Sequence, residues 1–417
     1  MQLNQTETKP LIVLVGSGYH LYREYLLTLV GRAADVWLFT TAEPKWEHPY
    51  IVGHTVVDTL DADAMIAAAA QIQQRDVLAG VLCWDEVRMP QAARLAEVLG
   101  LPGGDPAAIM RCRDKHQTRL ALDRAGVPQA RSRLVSDLVE ARAVAAEIGY
   151  PLILKPRALG ASFGVSKVER PQDFDECFAN ARSAFEDGVP FYESGVLVET
   201  YLDGPEISVD SAIVDGVVTP LFIARKVTGF DPHFEEIEHS VDAGDPLLQD
   251  PALLTVLRAA HRALGFHTGI THAELRLCAD GPHVIEVNCR LGGDMIPRLG
   301  YLATGIDPGA VAVQVACGLP VQVSQSAPKV AAIRFYYADA AELVVDRVDI
   351  DDNALRSEIV AATALAQPGQ KVQLPPEGHV TGRIAYAIAV ADDAAHCAEA
   401  LEHAAGAIRV TALEAVA

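Results

Sequence analysis

Clustered cysteine is missing from this sequence. Its 417 residues include seven cysteines (Cys83, Cys112, Cys177, Cys278, Cys289, Cys317, Cys397), odd in number, widely scattered and never spaced C-x-x-C. That argues against a disulfide framework and a thiolate zinc site, and fits a reducing cytoplasm. Positive charge is also scarce. The 34 Lys and Arg against 55 Asp and Glu give a net charge of −21, with no basic run, so neither nucleic acid nor an anionic membrane surface is an expected partner, and small molecules are. No window approaches the roughly 18 uninterrupted apolar residues of a membrane helix. The opening MQLNQTETKP lacks the basic start and apolar core of a secretory signal, and a cytoplasmic protein is the expectation. What remains is a chain 50% apolar and 21% charged, the composition of an ordinary globular protein long enough for roughly three domains. A polyanionic ligand such as a nucleotide would need a cation and a few well-placed basic residues to overcome the protein's own field.

Residues 11–104 alternate apolar runs (LIVLVG, DVWLFT, VLAGVLCW) with amphipathic stretches, which reads as β-α-β with a parallel sheet. Gly16-Ser17-Gly18 could open a dinucleotide fingerprint, but Leu21 stands where the third glycine is needed, leaving a tight strand-to-helix turn. After the breakers Leu101-Pro102-Gly103-Gly104, the pattern favours antiparallel pairing, with two strands around Asp215-Gly216. Residues 330–417 read as a small α+β block without an obvious catalytic cluster.

The most informative stretch is THAELRLCADGPHVIEVNCRLGGD, in which HAELRL and HVIEVNCR are both two-periodic. Glu274 therefore shares a face with His272 and Arg276, and Glu286 with Asn288 and Arg290. A three-residue loop Ala279-Asp280-Gly281 would pair Cys278 with Pro282, Glu274 with Glu286 and His272 with Asn288. Like charges directly opposite each other are destabilising, so the two glutamates call for a cation or for a proton shared between them. Magnesium, a hard ion that takes carboxylate oxygens together with substrate phosphates, is the economical one, and Asn288 offers a third oxygen. The competing reading is a solvated hairpin with its polar residues outward.

In PLILKPRALGASFGVSKVE, Lys155 ends an apolar strand and a loop with Gly160 and Gly164 follows. Such a loop can fold its N–H groups over phosphate while the lysine neutralises charge. It is not a Walker P-loop, since no G-K-[ST] follows; an ordinary glycine hairpin is the alternative. Gly160-Ala161-Ser162-Phe163-Gly164 also matches the G-x-S-x-G nucleophile elbow, but that motif needs a helix next, and VSKVER alternates like a strand. Nothing ties the triad candidates Asp294 and His379 to Ser162.

Together these residues resemble the ATP-grasp superfamily, and more narrowly its carboxylate-amine ligases of the L-amino-acid ligase (dipeptide synthetase) type. The strongest motif is E-x11-E-x-N-x-R, read as Glu274, Glu286, Asn288 and Arg290 and continued by Leu291-Gly292-Gly293-Asp294. The resemblance implies a multidomain α/β and α+β chain: a Rossmann-like domain over 1–105, an ATP-grasp domain over 106–328 with a mobile lid at about 145–200, and a small C-terminal α+β domain over 329–417. It implies ATP and Mg2+ as cofactors, with Mn2+ able to substitute, and a homodimer. By the same likeness Glu274, Glu286 and Asn288 are metal ligands, and Lys115 and Lys155 hold nucleotide phosphates. Gly160, Ser162 and Gly164 belong to the glycine loop, the backbone from Glu199 through Tyr201 and Leu202 reads adenine, and Glu206 takes the ribose. Arg290, Gly292, Gly293 and the FEEIEH residues Glu236 and His239 face the substrate, with Arg290 and His239 as catalytic candidates. Glu238 replaces a family glycine and suggests a more polar or cationic substrate.

The implied reaction is ATP-dependent amide formation between a small-molecule carboxylate and an amine through an acyl phosphate. Positioning and charge neutralisation carry such chemistry, and no nucleophilic side chain is required. His239 could take a proton from the attacking ammonium or orient a carboxylate. Two other readings stand beside this one: an ATP-grasp enzyme that activates bicarbonate or formate, and a nucleotide-binding protein without catalysis.

Overall fold

The apolar runs Leu11–Val15, Asp35–Thr40 and Leu78–Leu82 become strands of a four-stranded parallel sheet, completed by Gly53–Val56, with the strand that begins at Leu11 between those that begin at Asp35 and Leu78. Their side chains pack against helices Ala62–Gln73 and Met89–Val98, burying Val13, Val15, Phe39, Met65 and Leu95 among others. This computed structural model describes residues 9–160, 162–185, 195–326 and 328–413. Ala161 of the glycine loop and residues 186–194 of the expected lid lie outside the described residues.

A second sheet of eight antiparallel strands forms the body. In spatial order the strands are Gly281–Asn288, Gly269–Cys278, Glu206–Val214, Val217–Gly229, Glu235–Asp242, Val330–Tyr337, Arg383–Ala391 and Ile359–Ala364. The last three come from the C-terminal block, so that block continues the body's sheet. The physical reason is the edge: unpaired, the strand Glu235–Asp242 would present open N–H and C=O groups, and Glu238 to Asp242 are instead paired with Arg334 to Val330. A smaller three-stranded sheet and helix Ala394–Ala404 complete the block. The Asp215-Gly216 pair, with φ of 50° and 77°, forms the expected tight hairpin turn.

A third sheet, antiparallel in the order Ser132–Val135, Val196–Thr200, Leu152–Pro156, Ser166–Val168, carries helices Leu138–Ile148 and Phe174–Ser183 on one side. Part of the acidic surplus caps helices. Asp61, Asp105, Asp114, Asp137, Asp250, Asp307 and Asp393 each accept from the first free N–H groups of the helix they precede, where a negative charge also complements the helix dipole.

Candidate active site

Glu274 lies directly opposite Glu286 and His272 opposite Asn288, but by another route than the expected loop. The turn has two residues, and Cys278 pairs with Gly281 rather than with Pro282. Uncorrected, that register would set Glu274 against Ile285 and send Glu286 to the far face. A β-bulge between Glu274 and Leu275, where Ile285 is the extra residue, restores the pairing.

Each of the two carboxylates has its own lysine. Lys115 Nζ is 2.9 Å from Glu286 and Lys226 Nζ is 3.2 Å from Glu274. Burial pushes the Glu286 carboxyl up, but Lys115, a 2.7 Å hydrogen bond from Asn288 Nδ2 and Lys155 outweigh it and hold it at about 2. For Glu274 burial again raises, Lys226 lowers and Glu286 raises, and the net direction is down. Lys115 opens the helix Lys115–Arg124, a position the helix dipole disfavours for a cation. Asp114 caps that helix and is gripped by Arg157 at 2.8 and 2.5 Å, which ties it to the end of the lid strand. As oxygen donors the Glu274 and Glu286 carboxylates and the Asn288 amide suit a hard divalent cation.

The cleft between this hairpin and the third sheet has a volume of about 130 Å³ and is walled by Lys115, Lys155, Gly160, Ser162, Glu199, Tyr201, Leu202, Glu206, Glu236, Glu274 and Glu286. Gly164 is not on its wall: a Cβ there would meet Ala184 at 2.6 Å, and its φ is +71°, so this glycine lets the loop pack against its own helix. Lys155, buried, lies 2.7 Å from Glu199, whose oxygens also take Arg119 at 2.7 and 3.0 Å. Burial lowers the Lys155 pKa, Glu199 opposes this, and Arg119 adds to it, with a result of about 8. The Lys226 side chain is 1% exposed and its Nζ sits 3.1 Å from Glu206, 2.5 Å from Glu236 and 3.2 Å from Glu274; Arg276 is 2.8 Å from Glu206. Lys167 lies 4.4 Å over the Tyr201 ring. Ser162, at φ 56°, donates to the Phe234 carbonyl at 3.1 Å, and the strand Ser166–Val168 follows, so neither half of a nucleophile elbow is present.

Beyond Asn288 the chain leaves this cleft. Arg290 pairs with Glu86 of the N-terminal block at 2.8 Å. Gly292 donates its N–H to Asp210 at 3.0 Å and presses on His272, whose Nδ1 is 2.5 Å from Asp210. Gly293 and Arg290 line a second cavity of about 590 Å³. Asp294 and Met295 have φ of 47° and 64°, a left-handed pair of non-glycine residues, and strain of this kind persists where surroundings over-determine it. Here Arg383 is the determinant: it holds both Asp294 oxygens at 2.8 Å, donates to the Glu236 carbonyl at 2.8 Å, meets Glu235 at 3.2 Å and lies 3.7 Å over the Phe335 ring. The C-terminal block, expected to carry no functional cluster, thus supplies the cation at the centre of this one.

His239, fully buried, has Nε2 3.2 Å from Glu236 and 3.4 Å from Asp294. Burial lowers its pKa, but the two carboxylates prevail and raise it. A charged imidazole between two anions is suited to orienting them, and poorly suited to accepting a proton. Glu238, on the other face of the strand, pairs with Arg334 at 2.9 Å, away from both cavities, so it gives no guide to the substrate. Lys226, Arg119, Asp210, Glu86 and Arg383 escaped the sequence reading. A charge inside an apolar strand, as in LFIARKV and GRIAYAIAV, is the signal that could have found two of them.

A model of the ATP-grasp domain matches residues 148–298. The chain is 32% identical over 347 residues to an uncharacterised protein, y4rH, of Sinorhizobium fredii, covering 80% of this chain and 68% of that one. It is 29% identical over 329 residues to alanine--anticapsin ligase of Bacillus subtilis, covering 70% and 68%. The crystal structure of L-amino acid ligase from Bacillus licheniformis superposes with a TM-score of 0.77 at 22% identity over 98% of this chain and 100% of that one, a likeness of fold.

Proposed function

Because the chain belongs to the ATP-grasp family, we propose that it is an ATP-dependent carboxylate-amine ligase of the L-amino-acid ligase type, which joins an acid to an amine as an amide with release of ADP and phosphate. The observation that carries this reading is the pairing of Glu274 with Glu286 above a cleft that also receives Lys115 and Lys155. Glu274, Glu286 and Asn288 would hold Mg2+, or Mn2+ in its place. When bound, the ion neutralises charge on the phosphates during transfer.

In this reading Lys115 and Lys155 bind the phosphates, Glu206 the ribose and the backbone of Glu199 to Leu202 the adenine. Gly160 and Ser162 cover the nucleotide, while Gly164 lets the loop fold down. The acid's carboxylate oxygen bonds to the γ-phosphorus as the bond to ADP breaks. The amine then bonds to the acyl carbon, phosphate leaves and the ammonium proton is lost. Arg290 offsets the charge that develops on the transferred phosphoryl and on the acyl oxygen. Glu236, His239, Gly292 and Gly293 border the reacting groups, with His239 as a positioning residue. Water must be kept out because an acyl phosphate hydrolyses.

Among the described residues no helix is long and apolar enough to cross a membrane. The family likeness supports a cytoplasmic homodimer, which sedimentation would test.

The deciding experiment is ADP release by wild type and Glu286→Gln over pairs of amino acids and related acids and amines, with mass detection of the condensed product. Turnover should fall about 100- to 1,000-fold. Near-normal release by the variant would remove the metal assignment, and bicarbonate- or formate-dependent release without amino-acid dependence would replace the ligase reading.

A further inference from the structure

The larger cavity is where four distant parts of the chain meet: Tyr22 and Arg23 from the helix His20–Ala33, Trp84 to Glu86 after the strand Leu78–Leu82, Arg290 and Asp294 from the end of the central hairpin, and Thr381 and Arg383 from the C-terminal block. Its charged lining is almost self-neutralising. Arg290 has Glu86, Arg383 has Asp294 and Glu235, and Asp85 has Arg88. Arg23 is the exception. Among the described residues no carboxylate lies within ion-pair distance of it, and its one hydrogen bond runs from Nη1 to the Gly292 carbonyl at 3.3 Å.

The turn before the helix is shaped around this side chain. Gly18 has φ +77°, and a Cβ on it would stand 2.9 Å from Arg23 Cγ. Gly16, φ +73°, would crowd Arg88 Cδ at 3.0 Å in the same way. The Gly16-Ser17-Gly18 turn, which looked like a fragment of a dinucleotide motif, therefore seats two arginine stems. Trp84 fixes it further by donating to the Ser17 carbonyl at 3.1 Å.

We propose that Arg23 is the carboxylate receptor of this cavity, a specificity-determining residue that pairs with a carboxylate on a substrate. A half-buried guanidinium keeps its charge and presents donors in a fork matched to a carboxylate, and here several of those donors have no protein acceptor. Burial pushes its pKa down and Arg290 adds to this, while Tyr25, Asp294 and Asp85 oppose it, and the net direction is down, a penalty that a bound anion offsets. The inference rests on the ligase reading, which makes this cavity the substrate end of the reaction. The carboxylate could belong to the acid that is activated or be the free carboxylate of an amino acid acting as the amine.

The test is calorimetric titration of the common L-amino acids and their α-carboxamides onto the full chain with Mg–ADP. Wild type should bind the best free acid about 10- to 100-fold more tightly than its amide. Arg23→Met, which keeps the stem and loses the charge, should bind both alike, and Arg23→Lys should recover part of the preference. Gly18→Ala, which displaces the stem, should act like Arg23→Met. Initial rates with amino-acid methyl esters as amines separate the two sources. A rise in KM for the ester that Arg23→Met abolishes assigns the amine's carboxylate, and equal use of ester and acid as amine assigns the activated acid. The proposal is overturned if Arg23→Met retains the preference of wild type, if wild type shows none, or if no amino acid binds. Binding through Arg23 with no ADP released from any acid-amine pair would sink the ligase reading and leave the receptor standing.

Discussion

The small cleft draws its charges chiefly from strands that neighbour one another in two sheets, and nearly all of them are already paired: Lys226 with three glutamates, Glu199 with Arg119 and Lys155, Glu286 with Lys115. The large cavity collects its charges from segments more than 60 residues apart and leaves Arg23 over. Pairing within a sheet builds a rigid site for a ligand common to a family, whereas a seam between blocks can change one wall at a time. The two sites meet at one strand, since Glu236 lines the first and His239, three residues on, holds Asp294 of the second.

Variants on the two sides should fail differently, and the largest difference is expected at Lys155. Lys155→Met should lower kcat/KM for ATP about 100- to 1,000-fold while amino-acid binding by calorimetry stays within about twofold; loss of both together would mean that the sites are not separable. Arg383→Met should cost about 3–5 kcal/mol in urea denaturation, because the buried Glu235 and the half-buried Asp294 would both lose their guanidinium partner. A fully stable variant would show that the left-handed turn at Asp294 does not depend on Arg383.

A pH measurement sharpens the picture at the junction. Burial lowers the His272 pKa, but Asp210 and Glu274 raise it to about 9 against an ordinary 6.5. A raised histidine contributes stability that is fully present below pH 6.5 and lost as pH climbs through about 9. On the order of 3 kcal/mol should therefore disappear across that window, and His272→Gln should flatten the wild-type slope. The smallest effect belongs to Glu238→Gln, expected to change stability by about 1 kcal/mol or less, as for a partly exposed pair, and to leave the preference among amino acids as it was. A shift in that preference would return Glu238 to the substrate wall.

The small cleft was legible in the sequence because its residues lie on strands whose two-residue period sets their faces. Glu274 and Glu286 can be placed by counting and Lys155 by the apolar strand it ends, whereas Glu206 enters only through the family likeness. Even there the count succeeded through two departures that cancel, a shorter turn and the bulge at Ile285, and neither leaves a mark in a pattern of apolar and polar residues. The large cavity was not legible. Arg23 reads as one residue of an amphipathic helix and Arg383 as the first of a buried strand. Only the closing of the chain brings them to Asp294, and no local spacing encodes that. Glu238 shows the opposite error: its exchange for a family glycine is conspicuous in sequence, yet the strand turns it toward Arg334.

The unbroken sheet limits how such a protein can be rebuilt. A graft that cuts near residue 329 would strip Val330–Tyr337 from Glu235–Asp242 and expose an edge on which chains could stack. Exchanging the connection between the strands Ile359–Ala364 and Arg383–Ala391 keeps every rung of the eight-stranded ladder, provided the incoming segment supplies a strand in place of Lys371–Gln373, which pairs with Glu342 to Val344 in the smaller sheet, and it replaces the Leu365, Gln370, Val380 and Thr381 side of the large cavity. Recombination confined to that loop is the route by which this scaffold could acquire new acids or amines while its nucleotide chemistry stays untouched.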